Sequence, residues 1–182
     1  MSATTHGQTE QAILGGGCFW CLDAVFRELA GVIEVESGYC GGSVERPSYA
    51  QVCTGDTGHA EVVRIRFDPA QLSFRALLEV FFAIHDPTTK NRQGYDIGSQ
   101  YRSVIFCADE AQRQTAQALI AELASTFDDP IQTELGAAAP FYAAEIEHQD
   151  YYAQHREQPY CRVVVSPKLA KFRSKFAARR AG

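Results

Sequence analysis

Ala12-Ile13-Leu14-Gly15-Gly16-Gly17-Cys18-Phe19-Trp20-Cys21-Leu22 joins a short apolar run to three glycines and then to a cysteine-rich start of a helix. Ala12 to Leu14 has the length and composition of a strand end. From Cys18 onward Phe19, Leu22, Val25, Phe26 and Leu29 recur at helical spacing until Gly31 stops them. The segment therefore reads as strand, glycine turn, helix. Downstream, Val32 to Tyr39 reads as a strand closed by Gly41-Gly42, and Val63, Ile65 and Phe67 alternate with Arg64 and Arg66 as in a half-buried strand. Ser73 is placed to cap a helix carrying Phe74, Leu77, Leu78, Phe81, Phe82 and Ile84, with Pro87 just past its end. Ser103 to Cys107 reads as a strand, and Asp109 as the cap of a helix running to about Phe127. Ile131 to Leu135 supplies an edge strand. Strands and helices interleave without an internal repeat, which gives a two-layer α+β sandwich.

One stretch resists this pattern. Asp86 to Arg102 has little periodicity and is longer than a routine connector, and long structureless loops are usually functional. It carries Asn91-Arg92-Gln93-Gly94-Tyr95-Asp96 and Gln100-Tyr101-Arg102, groups able to bind a ligand.

The 182 residues suit a single domain over 1–182, with residues 1–8 as a flexible tail. That tail has neither a basic start nor an apolar core, and no run elsewhere reaches a membrane span, so a cytoplasmic protein without membrane attachment is expected. Six cysteines in a reducing compartment call for a chemical role rather than a disulfide framework. A formal charge of -5 argues against a nucleic-acid partner. The basic residues of Lys168 to Arg180 alternate with Leu169, Phe172 and Phe176 and read as the solvated face of a helix.

Cys18 holds the chemistry. A thiol at a helix N-terminus faces unpaired amides and the positive end of the dipole, which favour the thiolate. The preceding glycines let the backbone turn sharply and a substrate approach. Phe19 and Trp20 point about 100° apart on a helix, so one of them borders the Cys18 sulfur, and Trp20 beside a thiol suits a small apolar group. Cys21, three residues on, can reach Cys18 after local adjustment.

The string Gly16-Gly17-Cys18-Phe19-Trp20-Cys21 resembles the signature of the A-type peptide methionine sulfoxide reductases. Further segments match in order: Ser37-Gly38-Tyr39 with Gly41-Gly42, Pro47-Ser48-Tyr49 with Val52-Cys53, Thr57-Gly58-His59-Ala60-Glu61-Val62-Val63, and Asp96-Ile97-Gly98 leading to Gln100-Tyr101-Arg102-Ser103. Phe141-Tyr142 and His148-Gln149-Asp150-Tyr151-Tyr152 extend the likeness, which covers about Ile13 to Cys161. The expected fold is then a ferredoxin-like plait of a mixed sheet with helices packed on it, plus a long irregular C-terminal segment.

The resemblance implies reduction of methionine-S-sulfoxide, free and in proteins, as repair of oxidative damage. It implies that Cys18 attacks the sulfoxide sulfur, Glu61 protonates the departing oxygen, and Tyr49 and Tyr101 hydrogen-bond it. Asp96 is similar to a residue that orients the substrate, and Phe19 and Trp20 would wall in the methyl group. Cys18 is left as a sulfenic acid, which condenses with a second thiol, and thioredoxin or another dithiol reduces the resulting disulfide. No bound cofactor is implied. Many relatives have glycine at the position of Cys21 and resolve through C-terminal cysteines, which do not follow Cys161 here. Cys21 is the first choice for the resolving thiol, Cys161 the second and Cys40 the third, while Cys53 and Cys107 read as structural.

Two rival classes are weaker. A thioredoxin-like disulfide oxidoreductase also starts a helix with Cys-x-x-Cys, but leaves Glu61 and the tyrosines unused. A zinc module needs a second ligand pair, which His59, His85, His148 and His155 do not form, so no metal is expected. A monomer is expected.

Overall fold

The computed structural model describes residues 7–182. The first six residues of the expected 1–8 tail lie outside the described residues, and Gly7 and Gln8 precede the first strand. Eight strands and six α-helices follow one another. They are β1 Glu10–Gly15, α1 Phe19–Phe26, β2 Val32–Cys40, α2 Tyr49–Cys53, β3 Ala60–Phe67, α3 Phe74–Ile84, β4 Arg92–Gln93, β5 Asp96–Ile97, β6 Val104–Cys107, α4 Glu110–Leu123, β7 Glu134–Ala137, β8 Phe141–Ala143, α5 Tyr151–Gln154 and α6 Ser166–Lys175.

Six strands make one sheet in the order β7-β6-β1-β3-β2-β8, and β4 and β5 pair separately. β1 lies antiparallel to both β3 and β6, and β2 antiparallel to both β3 and β8. Only β7 runs parallel to its neighbour β6, which makes the sheet mixed. Side chains alternate across a strand, so β3 sends Glu61, Val63, Ile65 and Phe67 to one face and Ala60, Val62, Arg64 and Arg66 to the other. The first face carries the helices and the main core, including Phe19, Phe26, Tyr39, Leu77, Phe81 and Phe172. The second holds a small apolar cluster of Cys40, Ala60, Val62, Val104 and Phe106, and the ion pairs Arg64–Glu36 and Arg66–Glu34. Glu61 is thus the one carboxylate that β3 turns into the main core.

The helix starts follow local chemistry. Ser73 accepts a hydrogen bond from the Ala76 amide at 3.0 Å and Asp109 one from the Gln112 amide at 2.8 Å, as their sequence positions imply. α2 was not anticipated. Ser48 and Gln51 cap each other's backbone reciprocally and hold its five residues.

Three expectations change. The edge strand lies at Glu134–Ala137 rather than Ile131–Leu135, because Gln132 is drawn off to the Pro87 carbonyl at 2.7 Å. Asp86 to Arg102 is ordered by side chains in place of periodicity. The Gln93 amide bonds both the Asp86 N–H and its carbonyl at 2.9 Å, the β4–β5 hairpin follows, and a 3-10 turn spans Ser99–Tyr101. The C-terminal segment is helical rather than irregular: α5, a π turn at Cys161–Val165 and α6 fill it. Val165, Leu169 and Phe172 recur at helical spacing and are buried, each worth about 1.5–3 kcal/mol when removed from water. The basic face of α6 is solvated, with Arg173 paired to Glu28.

Candidate active site

Cys18 is the N-cap of α1, with extended backbone angles (φ −60°, ψ 129°), and its carbonyl accepts from the Cys21 amide at 3.1 Å. Gly17 before it has φ +93°, and a Cβ there would lie 2.7 Å from Gln93 Cγ. Both the conformation and the space demand glycine, so β1 can hand the chain to α1 only in this way.

The thiol is 7% exposed. Burial, the nearby Glu61 carboxyl and the Cys21 thiol together push its pKa well above the ordinary thiol value, while the Trp20 amide and the Tyr160 hydroxyl pull it down. The expected depression by the helix start is outweighed, because burial disfavours the charged form more than one helix terminus favours it. Cys18 rests as a neutral thiol.

Glu61 is 1% exposed, and neither carboxyl oxygen has a hydrogen-bond partner among the described residues. Burial first, then the Asp96 charge, raises its pKa well above the ordinary carboxylate range, with the Phe19 amide opposing. An unbonded buried carboxylate would be very costly, so the group is a neutral acid with a proton to give. Tyr49 and Tyr101 are half-buried and close enough to Glu61 and Cys18 that both groups hold the phenols in the protonated form, after burial itself. They are donors.

Asp96, on the inner side of the β4–β5 hairpin, accepts a hydrogen bond from the Tyr160 hydroxyl at 2.6 Å. Tyr160 was not anticipated. Its only sequence signal is its place beside Cys161. His148 and Glu145 were also missed. The Trp20 indole N–H donates to His148 Nδ1 at 3.1 Å, and Glu145 accepts from the Tyr39 hydroxyl at 3.0 Å and the Tyr49 amide at 2.9 Å. Trp20 lies flat against Tyr151, with centroids 3.8 Å apart and planes 5° apart, and meets Tyr160 edge-on. Phe19 is fully buried behind Tyr49, Tyr39 and His148.

All six cysteines are free thiols. Cys21 is fully buried, one turn from Cys18, and its thiol is pushed up to about 11, mainly by burial. Cys161 is buried in the π turn with its sulfur 3.6 Å from Gln158 Oε1. Cys40 lies on the opposite face of the sheet from Cys18, which removes its case as resolving thiol unless β2 leaves the sheet. Cys107 is buried, but Cys53, expected in apolar surroundings, is exposed at the end of α2. Among the described residues no three His, Cys, Asp or Glu side chains are grouped to hold a metal. No helix among them is long and apolar enough to cross a membrane.

A buried thiol, a buried carboxyl without a hydrogen-bond partner among the described residues and two half-buried phenols lie close together, the equipment of an oxidoreductase. The family model of peptide methionine sulfoxide reductase matches residues 10–180, and the chain belongs to that family. It is an oxidoreductase that returns methionine sulfoxide to methionine. The chain is 57% identical over 170 residues to a Chromobacterium violaceum peptide methionine sulfoxide reductase, covering 92% of this chain and 97% of that one. It is 56% identical over 182 residues to the Ralstonia nicotianae enzyme, covering 97% and 95%. The reduced form of Mxr1 from Saccharomyces cerevisiae superposes with a TM-score of 0.80 at 32% identity, covering 87% of this chain and 92% of that one.

Proposed function

We propose that Cys18 is the nucleophile and Glu61 the acid in reduction of the S epimer of methionine sulfoxide, free and in proteins. The observation that carries this is the buried Glu61 carboxyl, without a hydrogen-bond partner among the described residues and in electrostatic contact with Cys18. The thiol sulfur attacks the sulfoxide sulfur as its proton leaves, and Glu61 delivers a proton to the oxygen, which is a poor leaving group until protonated. Tyr49 and Tyr101 donate to that oxygen. The hydroxyl then passes from the substrate sulfur to the Cys18 sulfur as the transient sulfur–sulfur bond breaks, so that Cys18 is left a sulfenic acid, the thiol proton restores Glu61, and methionine departs with two electrons gained. Asp96, tied to Tyr160, orients the substrate, while Trp20 forms the wall for the methyl group and Phe19 backs it.

Cys21 then attacks the sulfenic acid, forming the Cys18–Cys21 disulfide and releasing water. Its place one turn from Cys18, with the Tyr160 hydroxyl near both sulfurs, supports it over Cys161. An external dithiol, thioredoxin in the cell, reduces the disulfide, and no bound cofactor enters. Residues 1–182 are read as one catalytic domain acting as a cytoplasmic monomer. The order β6-β1-β3-β2, with α1 and α3 on one face, supports the ferredoxin-like plait.

The test is single-turnover reduction of the two sulfoxide epimers by wild type, Cys18→Ser and Glu61→Gln. The S epimer alone should be reduced, Cys18→Ser should be inert, and Glu61→Gln should be slower by about 10²–10⁴. Equal turnover of both epimers, or an active Cys18→Ser, overturns the assignment.

A further inference from the structure

Asp23 is almost fully buried, at 1% exposed, yet it lies two residues beyond Cys21 on α1 and plays no part in the chemistry above. One of its oxygens accepts from Arg27 Nε, and the other accepts from the backbone amide of Asp150 at 2.8 Å. Arg27 in turn donates to the Val35 carbonyl at 2.9 Å, and its Nε lies 3.6 Å from Asp150 Oδ1. A buried charge is tolerated only where it is paired and hydrogen-bonded, and here every partner converges on one joint between α1 and the chain before α5.

Asp150 is an unusual residue to hold. It has φ +48° and ψ 43°, the left-handed region that an aspartate enters at a cost of order 1–2 kcal/mol. Gln149 beside it is fixed by the Ser37 amide at 2.8 Å, the Ser37 carbonyl at 2.9 Å and the Ala144 carbonyl at 3.1 Å. The next residue is Tyr151, whose ring covers Trp20 and is itself covered by His155 at 3.9 Å. Strain at Asp150 is held by the contacts around it, and the direction in which Tyr151 leaves the turn depends on them.

We infer that Asp23 is a positioning residue for substrate binding: by holding the Asp150 amide it sets Tyr151 against Trp20 and so fixes the wall of the methyl site. This rests on the reading of Trp20 as that wall. Asp23 touches neither substrate nor sulfur, and acts only through Asp150 and Tyr151. The charged groups facing it are Arg27 from its own helix and Asp150 from the segment above. Burial pushes the Asp23 carboxyl up to about 6 against the pull of Arg27, so the joint loses its acceptor charge in mild acid. Protonation would weaken the hold on both Arg27 and the Asp150 amide.

Trp20 is the only tryptophan in the chain, so its emission reports the joint directly. Asp23→Ala and Asp23→Asn are compared with wild type by Trp20 emission and acrylamide quenching, and by KM and kcat for methionine sulfoxide with dithiothreitol as reductant. Both variants should show altered emission, quenching raised about two-fold or more, and KM raised about 10-fold, the size expected for losing a hydrogen bond to a charged group. The kcat value should stay within about two-fold. If Asp23→Ala fails to fold, Asp23→Asn, which keeps the volume and one carbonyl acceptor, decides alone. Unmoved emission in a folded variant overturns the anchoring role. Altered emission with an unmoved KM overturns instead the reading of Trp20 as a substrate wall, and with it the role of Asp23 in binding.

Discussion

Tyr160 donates its hydroxyl hydrogen to Asp96 at 2.6 Å, joining two residues 64 positions apart in the chain, with the Tyr160 hydroxyl beside the Cys18 thiol. The bond brings the hairpin of β4 and β5 to the turn that precedes α6. It also holds a neutral phenol near both the Cys18 and Cys21 thiols, where burial and the two sulfurs keep it protonated. A charge-assisted bond of this kind contributes about 1.5–3 kcal/mol.

Tyr160→Phe should therefore weaken substrate binding, and Asp96→Asn should do the same for the same reason. If the pair acts as one unit, the double variant loses little more than either single one. A double-mutant cycle on KM in single turnover should give a coupling of about 1–2 kcal/mol, and a coupling near zero would separate the two residues.

Glu61 makes a stability prediction whose sign follows from its raised pKa. The folded protein keeps the Glu61 proton at pH values where the unfolded chain has released it. The contribution is fully present below the ordinary carboxylate value of about 4.5 and is lost as pH rises toward the folded pKa. Glu61→Gln removes that loss. Urea denaturation should show the variant gaining stability relative to wild type from pH 5 to pH 8, while its single-turnover rate falls. In wild type, the rate should decline once pH passes the folded pKa of Glu61, and a rate flat into strong alkali would deny it the role of acid.

The resolving step divides the cysteines. Cys21→Ser should retain one turnover and lose recycling by thioredoxin, whereas Cys161→Ser should recycle within about two-fold of wild type. Mass mapping of the oxidised protein should find Cys18 joined to Cys21. A Cys18–Cys161 linkage would require the π turn at Cys161–Val165 to unwind, and would reverse the assignment.

The sequence made α1, β3, α3 and α4 legible because each carries a periodic apolar face, and α3 and α4 also a capping residue. Cys18 stood out by position and by family likeness, and Glu61 by family likeness alone, since by itself it reads as an ordinary strand carboxylate beside Arg64. Tyr160, His148 and Glu145 did not, since each acts through a partner far along the chain: Asp96, Trp20 and Tyr39. The loop Asp86 to Arg102 was unreadable for a related reason. Its order comes from the Gln93 side chain closing on the Asp86 backbone, and no spacing rule encodes that closure. The direction of the Cys18 pKa was misjudged because a helix terminus is visible in sequence and burial is not.

Gly38 gives a prediction that ties packing to the site. It lies on β2 between Ser37 and Tyr39, paired with Ala143 of β8. A Cβ at this position would sit 2.3 Å from Phe141 Cζ and 2.5 Å from the Tyr142 carbonyl oxygen. The ring could swing aside, but the carbonyl is backbone, so β8 itself must move. Gly38→Ala should then cost about 1–3 kcal/mol, as overpacking usually does. The displacement would not stop at β8. The chain leaves β8 at Ala143 and reaches Glu145, which holds the Tyr49 amide and the Tyr39 hydroxyl, within two residues. Urea denaturation should show the loss, and activity should fall by more than the loss of folded protein accounts for. Normal stability in Gly38→Ala would show that β8 is free to shift, and normal activity alongside a stability loss would show that Glu145 does not transmit the shift to Tyr49.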